Sequence, residues 1–177
     1  MEAVIFFIFF GIYIIIKVLM GGGESAFEKQ KIDAKEGLYL FDSKNYIEAK
    51  LYFELALKKK PFESLNYVVL GEIELHYGEY EKALFYGQKA SRLDNTVSSA
   101  HLLMSKGLYN LNEFEDSFPY AKKAVWFGRN NPDANTWLGK LYIEKGEIEK
   151  GIKHLEIAFS HGDETAGYIM KNTKTRR

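Results

Sequence analysis

The chain has 177 residues, of which 46% are hydrophobic and 27% are charged, and its formal net charge is zero. This length suits one domain with a short appendage, and the composition is that of a chain that folds around an apolar core. The balanced charge gives no support for general nucleic-acid binding, and the absence of cysteine excludes disulfides, thiolate catalysis and cysteine-ligated metals.

The first predicted element is a transmembrane helix over residues 1–20. Residues 3–16 carry no polar group except the Tyr13 hydroxyl, and the apolar run resumes after Lys17 and ends at Met20. At about 1.5 Å per residue, residues 3–20 are long enough to cross the hydrocarbon core of a thin bilayer. Lys17 lies within one turn of the end, from which its ammonium group can reach the lipid headgroups.

Two alternatives compete with this anchor. The apolar stretch is short enough for a cleaved signal peptide, which would make the chain an exported periplasmic protein serving in envelope assembly, although Glu2 stands where such peptides carry positive charge. A buried soluble helix would need a covering element that the sequence does not offer. The lysines from position 17 to 35 favour retention of the rest of the chain on the cytoplasmic side. We therefore predict a single-pass membrane protein with a cytoplasmic repeat domain.

A flexible linker is predicted over residues 21–29, since the segment opens with three glycines and has no periodicity. From residue 30 a pattern of 34 residues runs four times, over 30–63, 64–97, 98–131 and 132–165. Each unit contains two apolar segments of helical length, separated by a turn. The first helices are predicted over 31–43, 65–77, 99–111 and 133–145, and the second helices over 46–60, 80–92, 114–127 and 148–160.

Residues of the same character recur at this period. One column consists of Ala56, Ala90, Ala124 and Ala158, and a second of the small residues Gly37, Gly71, Ser105 and Gly139. A third is Ala49, Ala83, Ser117 and Gly151, and a bulky column is Tyr46, Tyr80, Phe114 and Ile148. Small residues let neighbouring helices approach closely, and no single hairpin buries its own apolar face. The pattern predicts four stacked hairpins that share one core.

These columns resemble the tetratricopeptide repeat family, whose helix-turn-helix unit has a period of about 34 residues. Leu70-Gly71, Tyr80, Ala83 and Ala90 match its motif in the second unit, and the third unit departs most from it, with Met104-Ser105 and Ser117. The resemblance covers residues 30 to about 163. It implies an all-α fold, an α-solenoid of four repeats behind the predicted transmembrane helix.

In this family the first helices line a concave groove that binds peptides or protein segments. The residues of this chain that we assign to that face by the resemblance are Leu38, Phe41, Leu75, His76, Lys106, Tyr109, Lys140 and Ile143. The set is apolar and aromatic, and its lysines lie toward the carboxyl half. It predicts a protein or peptide partner with apolar anchors and some acidic residues. For Phe41 and Tyr109, packing between repeats is an equal alternative.

No arrangement of side chains indicates chemistry. The pair Glu72 and His76 is one helical turn apart, but such a pair is far more often a solvated contact than a metal site. We therefore predict no enzyme activity, no cofactor, no metal and no nucleic-acid partner. Residues 166–177 are predicted as a short capping segment with a basic tail, in which Asp163 caps a helix that runs through Met170. The predicted function is a membrane-anchored scaffold that recruits proteins through its groove.

Overall fold

The structure is a computed structural model that describes residues 26–175. The predicted transmembrane helix, the first part of the predicted linker and the last two residues of the basic tail lie outside the described residues. Within residues 26–175, no helix is both long enough and apolar enough to cross a membrane.

Ten α-helices and no strands make up the described part of the chain, so the predicted all-α solenoid is confirmed there. The helices pack in sequential order as antiparallel hairpins, each against the next. In chain order they are α1 (Ala26–Asp33), α2 (Lys35–Asp42), α3 (Tyr46–Lys59), α4 (Ser64–His76), α5 (Tyr80–Leu93), α6 (Ser98–Asn110), α7 (Phe114–Phe127), α8 (Pro132–Glu144), α9 (Ile148–Ser160) and α10 (Glu164–Thr175).

The first helix of the first unit differs from its prediction. It begins at Ala26, inside the predicted linker, and is interrupted at Ala34, where φ is −101° and ψ is 20°. The upstream piece is held by a long-range contact, because the Gln30 carboxamide oxygen accepts a hydrogen bond of 2.9 Å from the Leu65 N–H. That bond satisfies an N–H group at the start of α4, whose own N-cap residue, Glu63, makes no capping bond. Helix α1 is thus fastened to the second unit.

Every hairpin turn uses the same backbone geometry. Lys44, Gly78, Asn112 and Gly146, which lie 34 residues apart, all have a positive φ between 62° and 83°. In each turn the next N–H donates to the carbonyl five residues before it, as in the bond of 2.9 Å from Asn45 to Leu40. This is the helix-ending motif that glycine and asparagine favour, and a lysine in it costs about 1 kcal/mol. The predicted turn residues are confirmed.

The small-residue columns lie where helices approach most closely. A Cβ atom built on Gly151 would lie 2.8 Å from the Gly139 carbonyl oxygen, and one built on Gly139 would lie 3.0 Å from the Gly151 oxygen. Ala90, Ala124 and Ala158 are completely buried, whereas Ala56 is only partly buried. These positions therefore act as spacers between helices.

The unusual third unit replaces the small pair by two buried serines that form a polar network. The Ser105 hydroxyl accepts a hydrogen bond of 2.8 Å from the Trp137 indole N–H and lies 2.9 Å from the Ser117 hydroxyl. Ser117 in turn donates to the Ser105 carbonyl at 2.9 Å. All three hydroxyl and indole groups are satisfied, which removes the penalty for burying them. The departure from the repeat pattern thus accommodates the tryptophan of the fourth unit.

Buried polar side chains also tie down the loops between units. Asn66, His101 and Asn135 lie near the starts of α4, α6 and α8, and each bonds to the carbonyl oxygen six residues earlier. The His101 ring is buried, which lowers its pKa because burial disfavours the charged imidazolium. Its Nε2–H donates to the Asn95 carbonyl oxygen at 2.8 Å. The neutral ring is therefore the form that the fold requires.

The last helix, α10, covers the end of the array. The Asp163 carboxylate accepts from the backbone N–H groups of Thr165 and Ala166 at 2.8 and 3.3 Å, so Asp163 caps α10 as predicted. Ala166 is completely buried against Leu155 and Ala158 of the fourth unit. The helix extends five residues beyond the predicted end at Met170.

Candidate peptide-binding groove

A cleft of about 640 Å³ crosses the first helices of all four units. Its walls come from α1, α2, α4 and α6, from the start of α8, and from the two loops that follow α5 and α7. Its apolar lining consists of Phe27, Leu38, Phe41, Leu65, Val68, Val69, Val97 and Phe127. We refer to this cleft as the central groove.

Three of the predicted binding residues meet in the central groove. Leu38 and Phe41 line its amino-terminal wall from α2, and Lys106 lines the opposite part from α6. Leu38 and Phe41 are partly buried, and the Phe41 ring packs edge-on against Tyr46 with centroids 5.7 Å apart. Phe41 therefore both supports the first hairpin and presents part of its ring to the groove.

Lys140 and Ile143 lie further along the array. Both line a separate recess of about 380 Å³, between α8, the start of α9 and α10. Lys140 also lines a smaller pocket of about 220 Å³ that it shares with Lys106 and Asp133. The two predicted lysines are therefore brought together, while Ile143 faces a different recess from Leu38 and Phe41.

Leu75 and His76 are not among the residues that line the central groove. The His76 ring instead stacks against Tyr46 of α3, with centroids 4.2 Å apart, and lies 5.4 Å from the Tyr77 ring. The reason is that α3 of the first unit covers the carboxyl end of α4. The structure separates these two residues from the groove and assigns His76 to packing between units.

Tyr109 also packs between units. Its ring lies edge-on to Trp137 at 5.2 Å and to Phe114 at 5.0 Å, and its hydroxyl donates to the Glu144 carboxylate at 3.1 Å. It lines a pocket of about 300 Å³ with residues of α7 and α8, apart from the central groove. For Tyr109 the packing alternative is the one the geometry supports.

Comparison with known proteins bears on this architecture. No family model matches the sequence. The chain is 31% identical over 118 residues to a TPR repeat-containing protein of Methanocaldococcus jannaschii, over 67% of this chain and 21% of that protein. It spans about a fifth of the length of the curated relatives it matches.

Solved structures show the same arrangement of hairpins. A thermophilic TPR protein from Thermus thermophilus matches with a TM-score of 0.66 at 21% identity, over 73% of this chain and 72% of that one. The chain has the tetratricopeptide-repeat fold. YrrB, described as a TPR protein with an unusual peptide-binding site, matches with a TM-score of 0.57 at 18% identity, over 87% and 84%. The relatives' names and these structures support the assignment to the tetratricopeptide-repeat family.

One groove residue of this tetratricopeptide-repeat chain was missed by the sequence prediction. Glu72 lies in the same column as Leu38, Lys106 and Lys140, each 34 residues from the next, and its side chain lines the central groove. The repeat register itself was the signal that could have found it. Phe27 was missed for another reason, since it belongs to the helix that was predicted as linker.

The charge of the groove differs from the prediction. Its lining carries the carboxylates of Glu28, Asp42, Glu72, Asp94 and Asp133, but only two lysines, Lys31 and Lys106. In the smaller pocket beside it, Lys106 and Lys140 are matched by Asp133 and Asp163. The prediction of a positively charged groove is therefore wrong, because carboxylates of neighbouring helices and loops converge on the same space.

The environment of Glu72 is unlike that of a surface carboxylate. Burial raises the pKa of Glu72, the charge of Lys106 opposes that rise, and the charge of Asp133 adds to it. Within residues 26–173, whose side chains are described, no group of three or more His, Cys, Asp or Glu side chains is placed to hold a metal ion. The groove thus combines an apolar wall with a carboxyl group that its surroundings leave poorly compensated.

Proposed function

We propose that this chain is a protein-binding scaffold that holds an extended or helical segment of a partner protein in the central groove. The observation that carries the proposal is the groove itself, a cleft of about 640 Å³ to which the first helices of four successive units contribute apolar side chains. Leu38 and Phe41 at one end and Val97 and Phe127 at the other offer separate sites for apolar anchors of one bound segment. Binding, without a catalytic step, is the activity we assign.

The comparisons support this proposal by analogy. YrrB shares the fold and is described as having a peptide-binding site. A groove made by stacked hairpins is extended, so it suits a segment of several residues better than a small molecule. Lys140 and Ile143, in their separate recess, are proposed as contacts for the carboxyl-terminal part of a longer segment. Leu75, His76 and Tyr109 are not included among the proposed contacts.

Photocrosslinking of the full chain in its cells tests the groove. A photoreactive amino acid at position 38 is expected to crosslink to a discrete set of proteins, because Leu38 lines the groove. The same amino acid at position 51 is the matched control, since Leu51 is 59% exposed on α3 and is not among the groove-lining residues. Crosslinks from position 51 and none from position 38 would reject the groove as the binding surface.

We further propose that residues 1–20 anchor the chain in a membrane, with the repeats in the cytoplasm. This proposal rests on the apolar run over residues 3–20 and on the lysines that follow it. The chain is expected in the membrane fraction with an intact mass that includes residues 1–20, and a reporter fused after Arg177 is expected to be active only in the cytoplasm. A shortened chain or an exported reporter would favour the periplasmic alternative.

A further inference from the structure

The walls of the central groove carry unequal numbers of charges. Glu28 and Lys31 form an ion pair at 3.0 Å and offset each other. The remaining charged side chains of the lining are four carboxylates and one ammonium group, that of Lys106. Because the groove is a concave surface with apolar walls, its field acts in a medium less polar than bulk water, which strengthens its effect on a bound ion.

Glu72 lies where this surplus acts on a ligand. It occupies the middle of α4, between Val68 and Val69 on one side and Lys106 on the other, and its side chain is partly buried. Among the described residues no hydrogen bond or ion pair is formed with its carboxylate. Asp133, at the start of α8, lines the same groove and adds a second negative charge near it. A cation placed there would offset the penalty that burial imposes on Glu72.

We propose that the segment bound in the central groove is cationic, with lysine or arginine residues placed among apolar anchors. The inference rests on the proposed peptide-binding function and names the partner's chemistry. Leu38, Phe41 and Phe127 accept the apolar side chains, while Glu72 and Asp133 pair with the ammonium or guanidinium groups. An acidic segment would meet like charge along most of the groove, and the phosphates of a nucleic acid would be repelled in the same way.

The test uses the full chain in discs of zwitterionic lipid, so that peptides are not drawn to an anionic membrane. Two fluorescent peptides share the same leucines and phenylalanines and carry either lysines or glutamates at the remaining positions. At low salt the lysine peptide is expected to bind at least about tenfold more tightly than the glutamate peptide, with a difference that shrinks as salt is added. Each peptide's affinity is measured by fluorescence anisotropy.

Matched charge variants locate the effect. The variant Glu72→Gln with Asp133→Asn keeps side-chain shape, removes two groove charges and is expected to weaken binding of the lysine peptide by roughly tenfold. The control is Glu81→Gln with Glu149→Gln, which removes the same net charge from exposed positions of α5 and α9 and is expected to bind as wild type does. Equal weakening in both variants would show a general charge effect and overturn the inference.

Other outcomes separate this inference from the proposed function. Tighter binding of the glutamate peptide, together with crosslinks from position 38, would leave the groove as the binding surface and overturn its cationic preference. Failure of both peptides to bind at low salt would also overturn the inference, and loss of crosslinks from position 38 would reject the proposed function. A chain that is dimeric as wild type and monomeric in the Glu72/Asp133 variant would assign the groove to a second copy instead.

Discussion

Replacing Ala90 by glutamate is expected to destabilise the solenoid by about 4 kcal/mol or more and to abolish its cooperative unfolding. Ala90 is completely buried between α5 and the first helices of two units, in contact with Val68, Val97 and Ala100. A glutamate there must either leave an unpaired charge in an apolar interface or separate the helices. Thermal unfolding of the full chain, followed by circular dichroism, measures the loss.

Ala56→Glu is the matched control, because Ala56 is the same column one unit earlier. Ala56 is only partly buried and borders a cavity of about 280 Å³ whose wall includes Lys59 and Lys60. A carboxylate at this position can reach water and a cation, so the expected loss is below about 1 kcal/mol. If both substitutions destabilise the chain equally, burial at the interface between units is not the cause, and the column's role as a buried spacer is wrong at position 90.

The period was predictable because four copies of one hairpin reveal it independently. Lys44, Gly78, Asn112 and Gly146 occur at the same place in successive units, and the structure gives all four the same left-handed backbone. Helix starts were less predictable. The helices α4, α6 and α8 each begin one residue before the predicted position, at Ser64, Ser98 and Pro132. Neither Glu63 nor Val97 makes a side-chain capping bond, so no local signal marks the first two of these boundaries.

The extension of the first unit upstream could not have been predicted from local sequence. Residues 26–33 have no strong apolar periodicity, and their helix contains no buried residue. What holds them is Gln30, which accepts a hydrogen bond from the first turn of α4, 35 residues further along the chain. A contact between units is a property of the stacked array, and the pattern within one unit does not contain it. Phe27 reaches the groove only because of this contact.

The groove residues were predictable in register but not in environment. Phe41 and Tyr109 belong to one column, yet Phe41 lines the groove and Tyr109 is packed against Trp137. The difference comes from the column that begins with Val69 and ends with Trp137, since the tryptophan fills the space that the valine leaves open. Two side chains from different units thus decide whether an aromatic residue binds a partner or supports the core, and a single column cannot show this.

Replacing Gly151 by valine is expected to destabilise the fourth hairpin by about 3 kcal/mol. A Cβ atom at this position would lie 2.8 Å from the Gly139 carbonyl oxygen and 2.6 Å from the Ile143 Cγ1 atom. The carbonyl belongs to the backbone of α8, so the clash is relieved only if α8 and α9 move apart and loosen the packing around Leu155. Because each unit is stabilised mainly by its neighbours, helicity is expected to be lost first from α8 to α10, and hydrogen exchange resolves that order.

Gly107→Ala is the control that separates this steric effect from the general effect of losing a glycine. The Cβ atom at Gly107 would come no closer than 3.4 Å to any neighbouring atom, which is an ordinary contact. Alanine is favoured over glycine inside a helix by about 1 kcal/mol, so this substitution is expected to raise the stability of α6. The two glycines are both buried and both helical, and they differ only in what stands opposite. A gain of stability at Gly151, or a loss at Gly107 as large as the one at Gly151, would contradict the close approach of α8 and α9 as the reason for glycine at both positions 139 and 151.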